Sequence, residues 1–233
     1  MPKQLPDIDI RARRRHLVND DFGLAEGPEF KPSGNISSDV WNGIVNLPDD
    51  VLIRTTDFQT TDVEHAHALL ISWLDTIEGL PEDCPLYIQA LAVYEAFDAS
   101  LFNAVNGWYR TAGLALRAGV DDLLVGLYFQ IAGDRAKFDA IVSGKNGSPR
   151  FRDMRDAVLA ATKDSALFGY PGGSFGQLYD TLSIYTHRIS HGELWDGSNG
   201  PIYLKEGFDR WFKEYVQADE VLKAAVDAGR AFA

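Results

Sequence analysis

The residues best suited to chemistry lie in one short segment in the last quarter of the chain, which reads His187-Arg188-Ile189-Ser190-His191. We predict that a helix runs from Ser174 to about Ser190 and places the two imidazoles one turn apart, where both could bind one metal ion. The same histidines could instead move protons beside the guanidinium of Arg188, a cation that can stabilise negative charge. His187, Arg188 and His191 are therefore candidate catalytic residues, and His187 and His191 are candidate metal ligands.

The metal interpretation has a competing explanation. A zinc protease places a glutamate directly after its first histidine, and Arg188 occupies that position here. Asp180 would lie about two turns before His187, which is too far to join the same ligand shell. A polar helix face opposite an apolar stripe is usually solvated. A solvated helix end is therefore the alternative to a metal site.

Two further segments contain residue types that bind phosphate. The glycine-rich segment 169–176 lacks the Gly-Lys-Ser/Thr ending of a phosphate-binding loop and follows no predicted strand, so we predict a loop and helix cap. A basic group precedes it and consists of Arg150, Arg152 and Arg155. These arginines could hold phosphate groups, but Asp153 and Asp156 directly follow Arg152 and Arg155, and ordinary surface pairing is the other interpretation. No cofactor is predicted.

Composition restricts the class of protein. The formal net charge is -12, which excludes a uniformly basic nucleic-acid surface but leaves room for a local patch. The single cysteine, Cys84, excludes an internal disulfide and a cysteine-based zinc site. The sequence contains no apolar run long enough to span a membrane and no secretory signal, so we expect a cytoplasmic protein without a membrane partner.

The elements that must position these residues are predicted to be helices. Residues 1–62 contain several prolines and glycines and no sustained helical period, which predicts an irregular N-terminal arm. Within it, the β-prone stretch 51–56 is expected to be a short strand or an extended arm. Across residues 63–233, apolar residues recur at spacings of three and four. This pattern predicts an all-α domain, a helical bundle of about six helices, with a break near Asn106-Gly107.

Two features of the central helices concern packing. Ala112, Gly119 and Gly126 recur every seven residues and would let another helix approach closely. Arg117 and Asp121 lie one turn apart in the most apolar part of the sequence. If these two charges are buried they must be paired, because an isolated buried charge is very costly. The spacing therefore predicts a structural ion pair.

Two of these motifs together resemble bacterial helical families of the HEPN-like kind. They are Arg117 followed one turn later by Asp121, and Leu182-Ser183-Ile184-Tyr185-Thr186-His187. The resemblance implies a helical bundle that often dimerises. It also implies an RNase of a toxin–antitoxin or phage-defence system, or a nucleotide-binding protein. Active members carry Arg, four to six residues, then His, whereas only two residues separate Arg188 from His191.

The sequence leaves functions of different classes open. One is a HEPN-like protein that binds RNA or a nucleotide, with any metal-independent RNA cleavage performed by His187, Arg188 and His191. Another is a non-catalytic helical interaction module that binds a protein partner. A histidine-based metal-binding protein is the third. The row of small residues and the resemblance together predict a homodimer.

Overall fold

Every regular element in the computed structural model, which describes residues 47–186 and 202–233, is a helix. In chain order the helices of these ranges are α1 (Leu47–Phe58), α2 (Thr60–Glu78), α3 (Pro85–Val105), α4 (Tyr109–Ala132), α5 (Arg135–Val142), α6 (Phe151–Thr162), α7 (Ser165–Phe168), α8 (Ser174–Ser183) and α9 (Lys205–Arg230). The predicted all-α class is confirmed. None of these helices is both long enough and apolar enough to cross a membrane.

Helix α1 forms where the sequence predicts a strand or an extended arm. Val51 and Ile53 are buried, and the Thr55 hydroxyl donates to the Val51 carbonyl at 2.9 Å, one helical turn back. Helix α1 contacts α2 and α3, and the burial of these apolar side chains outweighs the β propensity of the stretch. The arm expected up to residue 62 is helical from Leu47 onward, and residues 1–46 lie outside the described residues.

The long apolar region folds as the antiparallel pair α3 and α4, and the predicted break near Asn106-Gly107 is confirmed. Pro85 occupies the first turn of α3, where its missing N–H is not needed, and the Cys84 sulfur accepts the Tyr87 N–H at 3.3 Å. Gly107 has a φ of +79° at the turn into α4. A Cβ there would lie 2.5 Å from the carbonyl oxygen of Ile202, so the turn requires glycine.

The small residues of α4 pack against α3 of the same chain. A Cβ on Gly119 would lie 3.2 Å from the Cβ of Ala96, and one on Gly126 would lie 2.7 Å from the Cβ of Gln89. Ala112 is fully buried. The predicted close helix crossing is confirmed, but it is intramolecular. These small residues therefore provide no surface for a second copy.

Helix α9 closes the bundle against α4, α2 and α3. Its inner face carries Trp211 and Tyr215, which are fully buried. The Trp211 Nε1–H donates to the Ser100 hydroxyl at 2.9 Å, and the rings of Tyr215 and Phe97 have centroids 4.7 Å apart. Glu214 lies on the same face and is only 6% exposed. An acidic side chain is therefore placed in the core beside α8.

Helix α8 ends earlier than the sequence predicts. It stops at Ser183 rather than near Ser190, and the next residues form turns in which the Tyr185 N–H donates to the Leu182 carbonyl at 3.2 Å. These tighter bonds satisfy carbonyls that a continuing helix would use. A single helix does not continue from α8 through Thr186 towards the two histidines. Gly173 caps the N-terminus of α8 and Arg150 caps that of α6, in both cases without a hydrogen bond from the cap side chain.

Candidate functional site

The predicted site residues His187, Arg188 and His191 lie outside the described residues. The structure instead shows where the chain leads into them, at the C-terminal end of α8. Within the described ranges, no three His, Cys, Asp or Glu side chains are grouped so that they could hold a metal ion. His65 and His67 are both exposed on α2.

Arg117 of α4 is the central charged residue at this end of α8. Its Nη1 donates to the Asp121 carboxylate, so the predicted ion pair is confirmed. The Arg117 side chain is 10% exposed, whereas that of Asp121 is 48% exposed. The guanidinium carbon lies 3.5 Å from the centroid of the Tyr179 ring, and the Phe151 ring lies beyond Tyr179 with centroids 3.6 Å apart. Pairing and stacking thus hold this cation in one place.

The two motifs that carry the HEPN-like resemblance meet in space. The Arg117 Nε lies 3.5 Å from the Ser183 hydroxyl, and that hydroxyl donates to the Tyr179 carbonyl at 2.7 Å. Two turns earlier on α4, the Arg110 Nε donates to the Tyr185 carbonyl at 3.1 Å. The two guanidiniums of α4 therefore fix the end of α8 through a side chain and a backbone carbonyl.

Tyr185 anchors this end of α8 in the core. A Cβ on Gly113 would lie 2.4 Å from its ring, and the Tyr185 hydroxyl donates to the Glu214 carboxylate at 2.5 Å. Burial raises the pKa of Glu214, and the hydrogen bond from Tyr185 and the charges of Arg210 and Lys213 oppose this only in part. Burial, followed by the negative charge of Glu214, raises the pKa of the Tyr185 hydroxyl, which stays protonated as the donor.

Acidic groups also border Arg117 on α4. Burial raises the pKa of Asp121, and the positive charge of Arg117 lowers it by a smaller amount. Burial raises the pKa of Asp122 too, and the charge of Asp121 adds to the effect. The ion pair with Asp121 compensates the charge of Arg117, whose contacts position the chain rather than present a bare cation.

The residues Arg110, Tyr185 and Glu214 were not identified from the sequence. Glu214 had a signal, because it interrupts an apolar stripe on α9 that contains Trp211 and Ala218. A charged residue on a buried stripe needs a partner. Nothing in the sequence indicates which residue supplies it, since Tyr185 is 29 residues away in the chain, in the turn after α8.

The basic group on α6 is divided by the fold. Arg152 is 80% exposed, with its Nε 3.7 Å from an Asp156 oxygen, while Arg155 is 7% exposed and its Nη2 lies 2.7 Å from the same carboxylate. The predicted pairing with aspartate is confirmed. The two arginines differ in exposure because Arg155 lies against Tyr170 in the loop that precedes α8.

No protein-family model, curated protein or solved structure matches this chain.

Proposed function

We propose that this chain is a HEPN-like helical protein that binds RNA or a nucleotide at the C-terminal end of α8. One observation supports this most: Arg117 of α4 contacts Ser183, the last residue of α8, and Arg110 of α4 contacts the carbonyl of Tyr185, two residues further on. The segment from His187 to His191 follows directly in the sequence. The parts of the chain that carry the family resemblance are thus brought to one end of one helix.

The residues of this end have separate roles in the proposal. Arg117 is a positioning residue, because its charge is paired with Asp121 and its side chain is nearly buried. Arg188 contacts the phosphate, and His187 and His191 move protons if RNA is cleaved. Tyr185, held by Glu214, anchors the backbone immediately before these residues.

Cleavage is tested with the full chain and RNA, with and without divalent ions. His191→Ala should abolish metal-independent cleavage and leave the melting temperature unchanged. His67→Ala is the matched control, since it removes an exposed histidine of α2. Loss of activity in both variants, or a folded wild type that neither cleaves nor binds RNA, contradicts the proposed function.

Only two residues separate Arg188 from His191, fewer than in active HEPN-like proteins. This spacing favours RNA binding without cleavage. The anisotropy of a labelled short RNA should rise on addition of the protein, and binding should weaken with added salt. Arg188→Met should weaken binding, while Arg135→Met, at an exposed position on α5, should not. Equal binding by all these proteins would exclude Arg188 as a phosphate contact.

A non-catalytic interaction module is the second candidate, and the outer face of α2 favours it. Ile71 and Leu74 lie about one turn apart and are 45% and 47% exposed. Exposed apolar side chains that lie together are typical of interaction surfaces. We assign the proposed homodimer to this face, since the small residues of α4 are already buried against α3.

The homodimer is tested by light scattering. The wild type should have the mass of a dimer and Leu74→Asp that of a monomer. Val142→Asp serves as the control, because Val142 is exposed on α5, away from this face in the sequence. A monomeric wild type at every accessible concentration would remove the homodimer.

The metal-binding alternative rests on His187 and His191 alone. Stoichiometric zinc in the purified chain, lost in His187→Ala and in His191→Ala, would support it. A metal-free wild type after incubation with zinc would remove it.

A further inference from the structure

The glycine-rich loop and the basic group, two motifs that are separate in the sequence, meet at the N-terminal end of α8. The guanidinium carbon of Arg155 lies 4.7 Å from the centroid of the Tyr170 ring in the loop. Its Nη1 lies 3.9 Å from the position that a Cβ on Gly176 would occupy, in the first turn of α8. The glycine-rich loop, the Arg155 side chain and the first turn of α8 therefore lie next to one another.

Arg155 is a buried cation with unused hydrogen-bond donors. Its Nε and Nη2 donate to one oxygen of Asp156, at 3.2 and 2.7 Å. The Nη1 group donates to no atom in the part of the chain that the structure describes. A guanidinium has five N–H donors, and buried donors are normally satisfied. The side chain is 7% exposed, and its Nη1 lies beside the first turn of α8.

The start of α8 offers donors of its own. Its cap residue is Gly173, so no side chain satisfies the first N–H groups, and the N–H of Gln177 is the first to bond back, to the Gly173 carbonyl at 3.1 Å. Among the residues that the structure describes, none accepts the N–H groups of Ser174, Phe175 and Gly176, which are left for another acceptor. These groups and the helix dipole favour an anion.

The loop turns tightly at Gly173 and leaves open space beside Gly172. The Gly173 N–H donates to the Gly169 carbonyl at 2.7 Å, and a Cβ on Gly173 would lie 2.5 Å from that oxygen, so only glycine fits the turn. A Cβ on Gly172 would meet no atom within 4 Å, which shows open space above the loop. Tyr170 is 71% exposed and covers Arg155 with one face of its ring.

The carboxylate of Asp156 opposes an anion here, but it is shared. Its side chain is half exposed, and it is also approached by the exposed Arg152 at 3.7 Å. Two cations therefore face one acid. The local balance favours a ligand that brings negative charge to the free donors of Arg155.

We propose that Arg155, the loop 169–173 and the first turn of α8 bind a phosphate group, either free or as the phosphate of a nucleotide whose base stacks on Tyr170. The site is separate from the proposed RNA site, because α8 has 10 residues and its two ends are about 15 Å apart. The phosphate site and the RNA site can therefore be tested independently.

Location is tested by amide NMR spectra of the ¹⁵N-labelled full chain, titrated at constant ionic strength with inorganic phosphate, AMP or adenosine. Phosphate and AMP should shift the amides of Ser174, Phe175 and Gly176 and the Nε–H of Arg155, and adenosine should not. Tighter binding of AMP than of phosphate identifies a nucleotide as the source, and equal binding identifies free phosphate. Absent shifts, or shifts confined to other residues, overturn the proposal.

The role of Arg155 is tested by a pair of variants with the same change in charge. Arg155→Met should weaken AMP or phosphate binding at least about tenfold, because it removes a charged donor from a buried position. Arg152→Met should change it by less than about twofold, because that side chain is exposed. Equal losses in both variants would show only general surface charge and overturn the site. If Arg155→Met does not fold, the amide shifts of the wild type decide the question.

Discussion

The two ends of α8 use buried arginines in different ways. At the C-terminal end, Arg117 is paired with Asp121, stacked on Tyr179 and within reach of the Ser183 hydroxyl. At the N-terminal end, Arg155 is equally buried but donates only to a half-exposed carboxylate beside a helix start without a cap.

This difference shows that burial of an arginine does not by itself indicate a ligand site. The partners that the donors reach are more informative, because a guanidinium whose bonds join two helices holds structure in place. On this criterion Arg117 positions the chain that leads to His187, while both bonds of Arg155 go to one oxygen of the neighbouring Asp156 and its Nη1 remains for a ligand.

The largest effect should come from filling the space beside Tyr185. Gly113→Ala places a Cβ 2.4 Å from that ring, so the ring must move and its bond to Glu214 must weaken. We expect a loss of about 1–3 kcal/mol in the free energy of unfolding, measured with urea. Gly176→Ala is the matched control at the other end, where a Cβ makes only ordinary contact and alanine favours the helix. Similar losses in both variants would show that the C-terminal end is not more tightly packed.

A smaller loss should follow from removing the Tyr185 hydroxyl. Tyr185→Phe leaves the buried carboxylate of Glu214 without this donor and should cost about 1–2 kcal/mol of unfolding free energy. Tyr170→Phe, at an exposed ring of the other end, should have no measurable effect. An unchanged Tyr185→Phe protein would show that the bond does not stabilise the end of α8.

The smallest effect is a difference in pH dependence. Burial raises the pKa of Glu214 above its ordinary value of 4.5. The Glu214 side chain of the folded protein therefore binds a proton at a pH at which the same side chain is ionised in the unfolded protein. The wild type should therefore gain stability relative to Glu214→Gln as the pH falls from neutral towards 4.5, and the difference should then stay constant. Urea unfolding of both proteins across this range measures it. A difference in unfolding free energy that does not change with pH would show that the pKa of Glu214 is not raised.

Much of the helical framework follows from the sequence. The spacing of apolar residues predicts α2, α3, α4 and α9 closely, and the break at Gly107 follows from its poor helix propensity. The pairing of Arg117 with Asp121 is also predictable, because both lie on one helix. Elements whose contacts are local are thus accessible from the sequence.

The exceptions depend on contacts between distant parts of the chain. The β-prone stretch forms helix α1 because this helix contacts α2 and α3 and buries Val51 and Ile53. Helix α8 ends at Ser183, close to the hydrogen bond from Arg110 to the Tyr185 carbonyl. No local sequence pattern predicts this helix end. The meeting of Arg155 with the glycine-rich loop is a tertiary contact of the same kind.

The most direct test of a function at the C-terminal end of α8 is the site of RNA binding. In a titration of the ¹⁵N-labelled full chain with a short single-stranded RNA, the amides of Ser183, Tyr185 and Thr186 and the Nε–H signals of Arg110 and Arg117 should shift. These signals should shift over the same range of RNA concentration, and they should return to their positions in the free protein when salt is added. Saturating RNA that leaves all of these signals unchanged, or that shifts only residues of other helices, would contradict an RNA site at this end.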